Sequence, residues 1–262
     1  MTDNVPTDAA IRQAAKVLVG ANRVAVLTGA GVSAESGVPT FRASDGLWEG
    51  HHVEDVASPA GFNRNPGLVW QFYNARRANV ATVHPNPGHK ALAALEDRFG
   101  DRFALATQNV DGLHQQAHSR RVLEVHGSLR RTRCTGCAVV RDQGLRELAP
   151  MPECEHCGSL LRPDIVWFGE MLPDDVWSAA QEAVERCDVL LVVGTSAVVY
   201  PAAGLIALAK QRASWSHSGQ AATVIEANLT PTEASPLADI GLYGPSGQTL
   251  PRVLAAMNNL TE

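Results

Sequence analysis

No apolar run in this chain reaches membrane-spanning length. The longest, Val189 to Val193, ends at Gly194 and reads as one buried strand. Met1 to Pro6 lacks the charged and apolar regions of a secretory signal, so a cytoplasmic location and no membrane partner are expected. There is no excess of basic charge. Lys and Arg total 22 against 27 Asp and Glu, a formal net charge of -5, which argues against nucleic-acid binding through bulk charge. The one local basic cluster (Arg120, Arg121, Arg130, Arg131, Arg133) reads as a solvated rim, so no direct nucleic-acid partner is expected. Internal repeats and low-complexity segments are also missing. Cysteine is scarce, five in 262 residues, which does not suit the disulfide framework of a small secreted domain. What is present is an ordinary globular composition, 45% hydrophobic, long enough for one large domain or a large domain with a small one.

Four of the cysteines form two close pairs, Cys134-x-x-Cys137 and Cys154-x-x-Cys157, with residues 138 to 153 between them. Two such turns can each aim two sulfurs at one point, and four thiolates around a point make a closed tetrahedral zinc site. A closed site has no open position for water or substrate, so the zinc is structural. Disulfides, or a redox role for one pair, are the competing readings; the redox reading does not explain two pairs. Cys187, just before a strand, reads as a packed core thiol.

The rest of the chain alternates helices and strands. Apolar spacing predicts helices over Asp8–Gly20, with Thr7 or Asp8 as cap, then over Leu68–Val80, Pro87–Phe99, Asp174–Arg186, Ala202–Arg212 and Leu250–Met257. Strands are expected at Val24–Leu27, Phe103–Ala106, Val122–Val125, Val189–Val193 and Thr223–Glu226. Strands joined by helices imply a parallel sheet covered on both faces, a doubly wound α/β domain. Two stretches break the rhythm, about 44–85 and 128–163, and read as insertions that form a smaller helical, zinc-binding lobe. The larger domain would then comprise 1–43, 86–127 and 164–262. The polar loop Ser214 to Gln220 holds Trp215 as a local packing anchor.

Gly29-Ala30-Gly31-Val32-Ser33-Ala34-Glu35-Ser36-Gly37 follows the first strand. At the carboxyl edge of such a sheet, glycines let the backbone approach a pyrophosphate and helix-start amides hold its charge. The spacing departs from G-x-G-x-x-G, and a tight strand-to-helix turn explains it nearly as well. Gln108-Asn109-Val110-Asp111-Gly112, Gly194-Thr195-Ser196 and Asn228 follow three other strands. Any one could be a cap or an Asx turn, but four polar loops at one edge favour a site. His126, ending the third strand, could serve there as a general base; taken alone it reads more readily as a core histidine satisfied by backbone. The other histidines show no metal pairing.

Taken in order, Gly29 to Arg42, then Thr107-Gln108-Asn109-Val110-Asp111-Gly112-Leu113-His114, His126-Gly127, the paired cysteines and Gly194-Thr195-Ser196 resemble the sirtuin signature, over about residues 10 to 258. The resemblance implies a Rossmann-like NAD-binding domain with a small zinc-binding one, and NAD-dependent removal of acyl groups from protein lysines. It implies cofactor contacts from Gly29, Ala30, Gly31, Ser33, Glu35, Thr40, Phe41, Arg42 and Trp48. Gln108, Asn109, Val110 and Asp111 would hold the nicotinamide end; Gly194, Thr195, Ser196, Asn228, Leu229, Thr230 and Ser246 would line the adenosine side. His126 and Asn109 would be catalytic. The acyl oxygen would displace nicotinamide at the ribose carbon, and His126 would deprotonate the ribose hydroxyl that attacks next. Products would be free lysine, nicotinamide and O-acyl-ADP-ribose.

Phe72-Tyr73-x-x-Arg76-Arg77 further resembles the sirtuin subgroup that removes succinyl and malonyl groups, and Ala57 matches its small pocket-widening residue. Tyr73 and Arg76 stand i, i+3 on one helix face, where a guanidinium beside a phenol suits a carboxylate. On the residues alone they read as a surface pair; with the resemblance, a succinyl and malonyl pocket that also accepts acetyl is expected. The acyl-lysine partner would bind as an added strand between Val166-Trp167-Phe168-Gly169-Glu170 and the stretch Val198 to Ala202, with Val166, Phe168 and Gly169 touching it. A mono-ADP-ribosyltransferase and a non-enzymatic NAD-responsive module are the alternatives. Intact His126 and Gln108-Asn109-x-Asp111 argue against the second.

Overall fold

The computed structural model describes residues 5–40, 47–48, 50–211 and 221–261. Its main sheet is built from β1 (Val24–Thr28), β4 (Phe103–Thr107), β5 (Val122–Glu124), β9 (Val189–Val193), β10 (Thr223–Asn228) and β11 (Ile240–Tyr243). The order is β11-β10-β9-β1-β4-β5 and every pairing is parallel. The expected doubly wound sheet is therefore present. Chain order runs outward in both directions from the β1–β9 pair, which creates the switch point where a crevice opens at the strand ends.

Strand alternation explains why both faces are covered. Val24, Val26, Leu105, Leu191 and Ile225 pack against α1 (Asp8–Gly20), α6 (Pro87–Phe99) and α10 (Ser246–Asn259). Ala25, Leu27, Leu190, Val192 and Val224 face the opposite way, against α8 (Asp174–Arg186) and α9 (Gly204–Gln211). Capping fixes the helix starts: Thr7, not Asp8, accepts from the Ala10 N–H, and Asn86 accepts from Gly88 and His89 ahead of Pro87. Cys187 is a buried thiol beside the Val184 carbonyl, as expected.

Three features depart from the expected elements. Strand β11 was not among the expected strands; it is four residues long and contains Gly241. Helix α10 starts at Ser246 instead of Leu250, because Glu35 accepts from the Gly247 N–H at 2.7 Å and so caps the helix from 212 residues away. Strand β5 stops at Glu124, so His126 lies in the link to the next strand. The predicted extent of α9 to Arg212, and the loop holding Trp215, reach beyond the described residues.

The remaining elements pack beside the sheet. They are a short helix α2 (Gly31–Ala34), a two-stranded ribbon β2 (Leu47–Trp48) and β3 (His51–His52), then α3 (Val53–Val56), α4 (Pro59–Arg64) and α5 (Pro66–Thr82). Helix α7 (Leu113–Gln116) follows β4, and the strands β6 (Gly127–Cys134), β7 (Val140–Asp142) and β8 (Leu161–Ile165) form an antiparallel sheet in the order β7-β6-β8. A third apolar cluster joins Val56, Phe62, Trp70, Tyr73, Leu129, Ile165 and Trp167. Buried Arg77 ties α5 to this sheet by donating to the carbonyls of Leu129, Gly144 and Arg146. The basic cluster is neutralised in place: Arg120 pairs with Asp97, Arg121 with Asp101, Arg130 with Asp142, Arg131 with Glu124 and Asp164, and Arg133 with Asp164. Among the described residues no helix is long and apolar enough to cross a membrane.

Candidate active site

A cavity of about 480 Å³ opens at the carboxyl ends of β1, β4, β9 and β10. It is lined by Gly29, Ala30 and Gly31 after β1, by Gln108 to Asp111 after β4, by Gly194, Thr195 and Ser196 after β9, and by Asn228, Leu229, Thr230 and Thr232 at the end of β10; Thr40 joins them. The glycines are demanded by backbone contact. A Cβ on Gly29 would sit 2.7 Å from Thr195 Cβ, one on Gly31 2.7 Å from the Gly194 oxygen, and Gly194 has φ +61° with the Val32 nitrogen 2.2 Å from its Cβ position. The loops after β1 and β9 are thus pressed together at the switch point, with the Gly29, Gly31 and Gly194 N–H groups donating to the carbonyls of Val193, Gly194 and Ala227. Gln108 Nε2 donates to Thr195 Oγ1 at 2.9 Å and Asn228 Nδ2 to the Thr195 carbonyl at 2.8 Å, tying three strand ends into one wall.

Asp111 is buried and fixed on both oxygens, by the Leu113 N–H at 2.9 Å and the Ser33 hydroxyl at 2.8 Å. Burial pushes its pKa up, against those hydrogen bonds and the nearby Arg76 charge. Asn109 Nδ2 donates to Ser33 Oγ at 3.0 Å, so Ser33 orients both site residues from behind the wall. Glu35 and Ser246 also lie off the cavity, hydrogen-bonded to each other at the start of α10. Phe41 and Arg42 lie outside the described residues, and for Trp48 only the backbone is described.

His126 is half-buried in the cavity wall between the two sheets. Its Nδ1 lies 3.2 Å from the Gln108 carbonyl oxygen. A carbonyl only accepts, so Nδ1 carries the proton and Nε2 keeps a lone pair. Burial lowers the His126 pKa, opposed by that carbonyl, so the ring is neutral at pH 7. Gly127 follows with φ +82°, where a Cβ would lie 2.1 Å from the Asp164 carbonyl oxygen; only glycine permits the turn that presents His126.

Tyr73 and Arg76 do share a face of α5, and both are buried in the cavity wall with Ala57. The Tyr73 hydroxyl accepts from the Trp167 indole N–H at 2.9 Å, and burial pushes the phenol pKa up to about 12. Val166, Phe168 and Gly169 line the cavity nearby; Phe168 donates its N–H to the Ala57 carbonyl and Val166 to that of His126, both at 3.0 Å.

The four cysteines converge as expected. Cys134 and Cys157 sulfurs are 3.4 Å apart, those of Cys137 and Cys154 3.8 Å, and all four lie within 4.8 Å of one another. A tetrahedral site with Zn–S near 2.3 Å has sulfur–sulfur edges of about 3.8 Å, so the donor set fits one zinc. Gly136 and Cys137 N–H groups point at Cys134 Sγ, which favours the thiolate a metal needs.

A model of the Sir2 family matches residues 29–201. The chain belongs to the Sir2 family. The NAD-dependent protein deacylase 2 of Pyrobaculum aerophilum is 48% identical over 242 residues, covering 92% of this chain and 93% of that relative. A crystal structure of a Sir2 homologue in complex with NAD is 43% identical, with TM-score 0.86 over 95% of this chain and 94% of the other. The structure of Sir2Af2 bound to a myristoylated histone peptide is 36% identical, with TM-score 0.77 over 97% of this chain and 99% of the other. In this Sir2 chain some wall residues had no sequence signal of their own. Leu172 and Thr232 are brought in by loops. Behind the wall, Glu226, fully buried on β10, accepts from Thr232, Ser235 and Tyr243 hydroxyls and staples the loop carrying Leu229 and Thr230. The signal that could have marked it is a lone carboxylate inside an apolar strand.

Proposed function

We propose that this Sir2-family chain is an NAD-dependent protein-lysine deacylase that prefers succinyl and malonyl groups and also removes acetyl. The reading rests above all on His126: a neutral ring with Nδ1 committed to the Gln108 carbonyl and Nε2 open to the cavity, poised as a general base. NAD supplies the ribose carbon that accepts the acyl oxygen and the nicotinamide that leaves. The cavity fits it through the closely pressed glycine loops, where no side chain stands between the backbone and a pyrophosphate, and through fixed Asn109 and Asp111 for the nicotinamide end. Gly29 to Gly31 with Thr40 bind the phosphate side, and Gly194 to Ser196 with Asn228 to Thr230 the adenosine side. Ser33 acts by orienting Asn109 and Asp111, and Glu35 and Ser246 by fixing α10 behind the wall. Phe41, Arg42 and Trp48 belong to the same cofactor-side set.

Neutral Tyr73 as donor and Arg76 as cation form a receptor for an acyl carboxylate, with Ala57 leaving room beside them. Val166, Phe168 and Gly169 offer an edge on which the acyl-lysine protein lies as an added strand. The larger domain comprises 1–43, 86–127 and 164–262, and the smaller lobe 44–85 and 128–163, where zinc holds the strands and does no chemistry. A cytoplasmic location, without membrane or nucleic-acid partners, belongs to the same reading.

The test is mass spectrometry of matched succinyl-lysine and acetyl-lysine peptides with and without NAD. Wild type should prefer succinyl, Arg76→Met should lose that preference while acetyl turnover persists, and His126→Tyr should lose both. NAD binding without cleavage of either peptide, or ADP-ribose attached to protein instead of released with the acyl group, would overturn the proposal.

A further inference from the structure

The acyl pocket contains a hydrogen bond whose direction is fixed by chemistry. Trp167 is 2% exposed and its indole N–H can only donate; the Tyr73 hydroxyl, fully buried, receives it at 2.9 Å. A phenol O–H lies near the ring plane and has two sides to choose between. With the indole proton on one, its own proton is turned to the other. Among the described residues that proton has no protein acceptor, and Tyr73 and Arg76 line the same cavity wall. The indole is itself held. Arg162 stacks on it with the guanidinium carbon 3.5 Å from the ring centroid, and binds both Glu170 oxygens at 2.5 and 2.8 Å. Glu170 in turn accepts the backbone N–H of Trp167 at 2.8 Å. A ring needed only for volume would require neither the N–H nor this clamp.

We infer that Trp167, clamped by Arg162 and Glu170, is a positioning residue for acyl selectivity: it makes Tyr73 an obligatory donor aimed at the carboxylate of a succinyl- or malonyl-type group beside Arg76. This rests on the acidic-acyl reading above and adds to it a residue that acts through Tyr73. A neutral acetyl group has no carboxylate to receive the proton, so the orientation matters for one substrate class only. The phenol stays protonated at neutral pH because burial holds its pKa near 12.

The experiment is a double-mutant cycle of Trp167→Phe and Tyr73→Phe, read as the ratio of succinyl-peptide to acetyl-peptide kcat/KM at saturating NAD. Losing an oriented hydrogen bond to a charged acceptor should lower that ratio about tenfold in Trp167→Phe, mainly through the succinyl-peptide KM. In the Tyr73→Phe background the same change should do nothing further to the ratio. A ratio that does not move, or that falls equally in both backgrounds, overturns the inference while leaving the acyl reading standing. A wild-type enzyme with no succinyl preference overturns both. Independently of turnover, the Trp167 indole N–H resonance should move upfield in Tyr73→Phe; an unmoved resonance also refutes the contact.

Discussion

Lowering the pH should destabilise this protein through two histidines behind the cavity. His89 and His114 are 0% and 1% exposed, with ring centroids 4.9 Å apart. Their Nε2 atoms are committed to Ser33 Oγ at 3.3 Å and Thr28 Oγ1 at 2.9 Å. Burial holds the His89 pKa down to about 4 and that of His114 to about 3, the latter also opposed by His89, from an ordinary value of 6.5. As pH falls the unfolded chain takes up these protons first, so stability is fully present above about 6.5 and is lost as pH drops toward the folded values. Between 6.5 and 5 each histidine forfeits about 2 kcal/mol, and the pair about 4. Asp111, whose pKa is raised by burial, changes in the opposite sense and softens the wild-type curve; protonation of the zinc thiolates steepens it. The assay is therefore a difference: urea unfolding of wild type and of His89→Gln/His114→Gln at pH 8 and pH 5, glutamine keeping an N–H donor for Ser33 and Thr28. The gap between them should shift by about 4 kcal/mol in favour of the variant on acidification. Equal pH slopes in both proteins would show that the pair is not buried and neutral, and the reasoning would fail.

Gly194→Ala should cost at least ~2 kcal/mol, from φ +61° and the clash with Val32, and should weaken NAD binding; a thermal melt and a calorimetric titration with NAD read both, and a neutral substitution would contradict the close approach of the two loops. One zinc per chain is expected by elemental analysis, and stripping it or making Cys134→Ser should cost several kcal/mol without removing a catalytic group; full activity in a metal-free, equally stable protein would refute the structural role. Glu226→Gln should raise the KM for NAD with little change in kcat, since it acts by placing the Leu229–Thr232 loop; an effect on kcat alone would place the residue elsewhere in the scheme. Because burial lowers the His126 pKa, the acid limb of kcat/KM should fall below pH 6.5, and a limb at or above that value would contradict its environment.

How much was legible varied by element, for physical reasons. Val189–Val193 and Asp174–Arg186 were readable to the residue because an unbroken apolar run between turn signals, or a run of helix formers with acidic residues in its first turn, is a local property. The cysteine pairs were readable because metal geometry constrains spacing in the sequence itself. Strand β11 was not, since it is only four residues long and broken by Gly241, too short a run to show a period, and its place is set by pairing with β10. The first turn of α10 was invisible because its cap, Glu35, lies across the chain.

The sequence by itself determined the alternation of elements, the zinc ligands and the set of polar loops at one sheet edge, because periodicity, turn chemistry and ligand spacing are all written within a few residues of one another. Only the tertiary structure decided which loops meet and what each side chain does there. It placed Ser33 behind Asn109 and Asp111 instead of in the cavity, split adjacent Arg76 and Arg77 into a pocket cation and a structural tie, and chose the tautomer of His126 through the Gln108 carbonyl. Those outcomes depend on contacts between residues distant in sequence, and burial and hydrogen-bond direction exist only once the chain has closed around them.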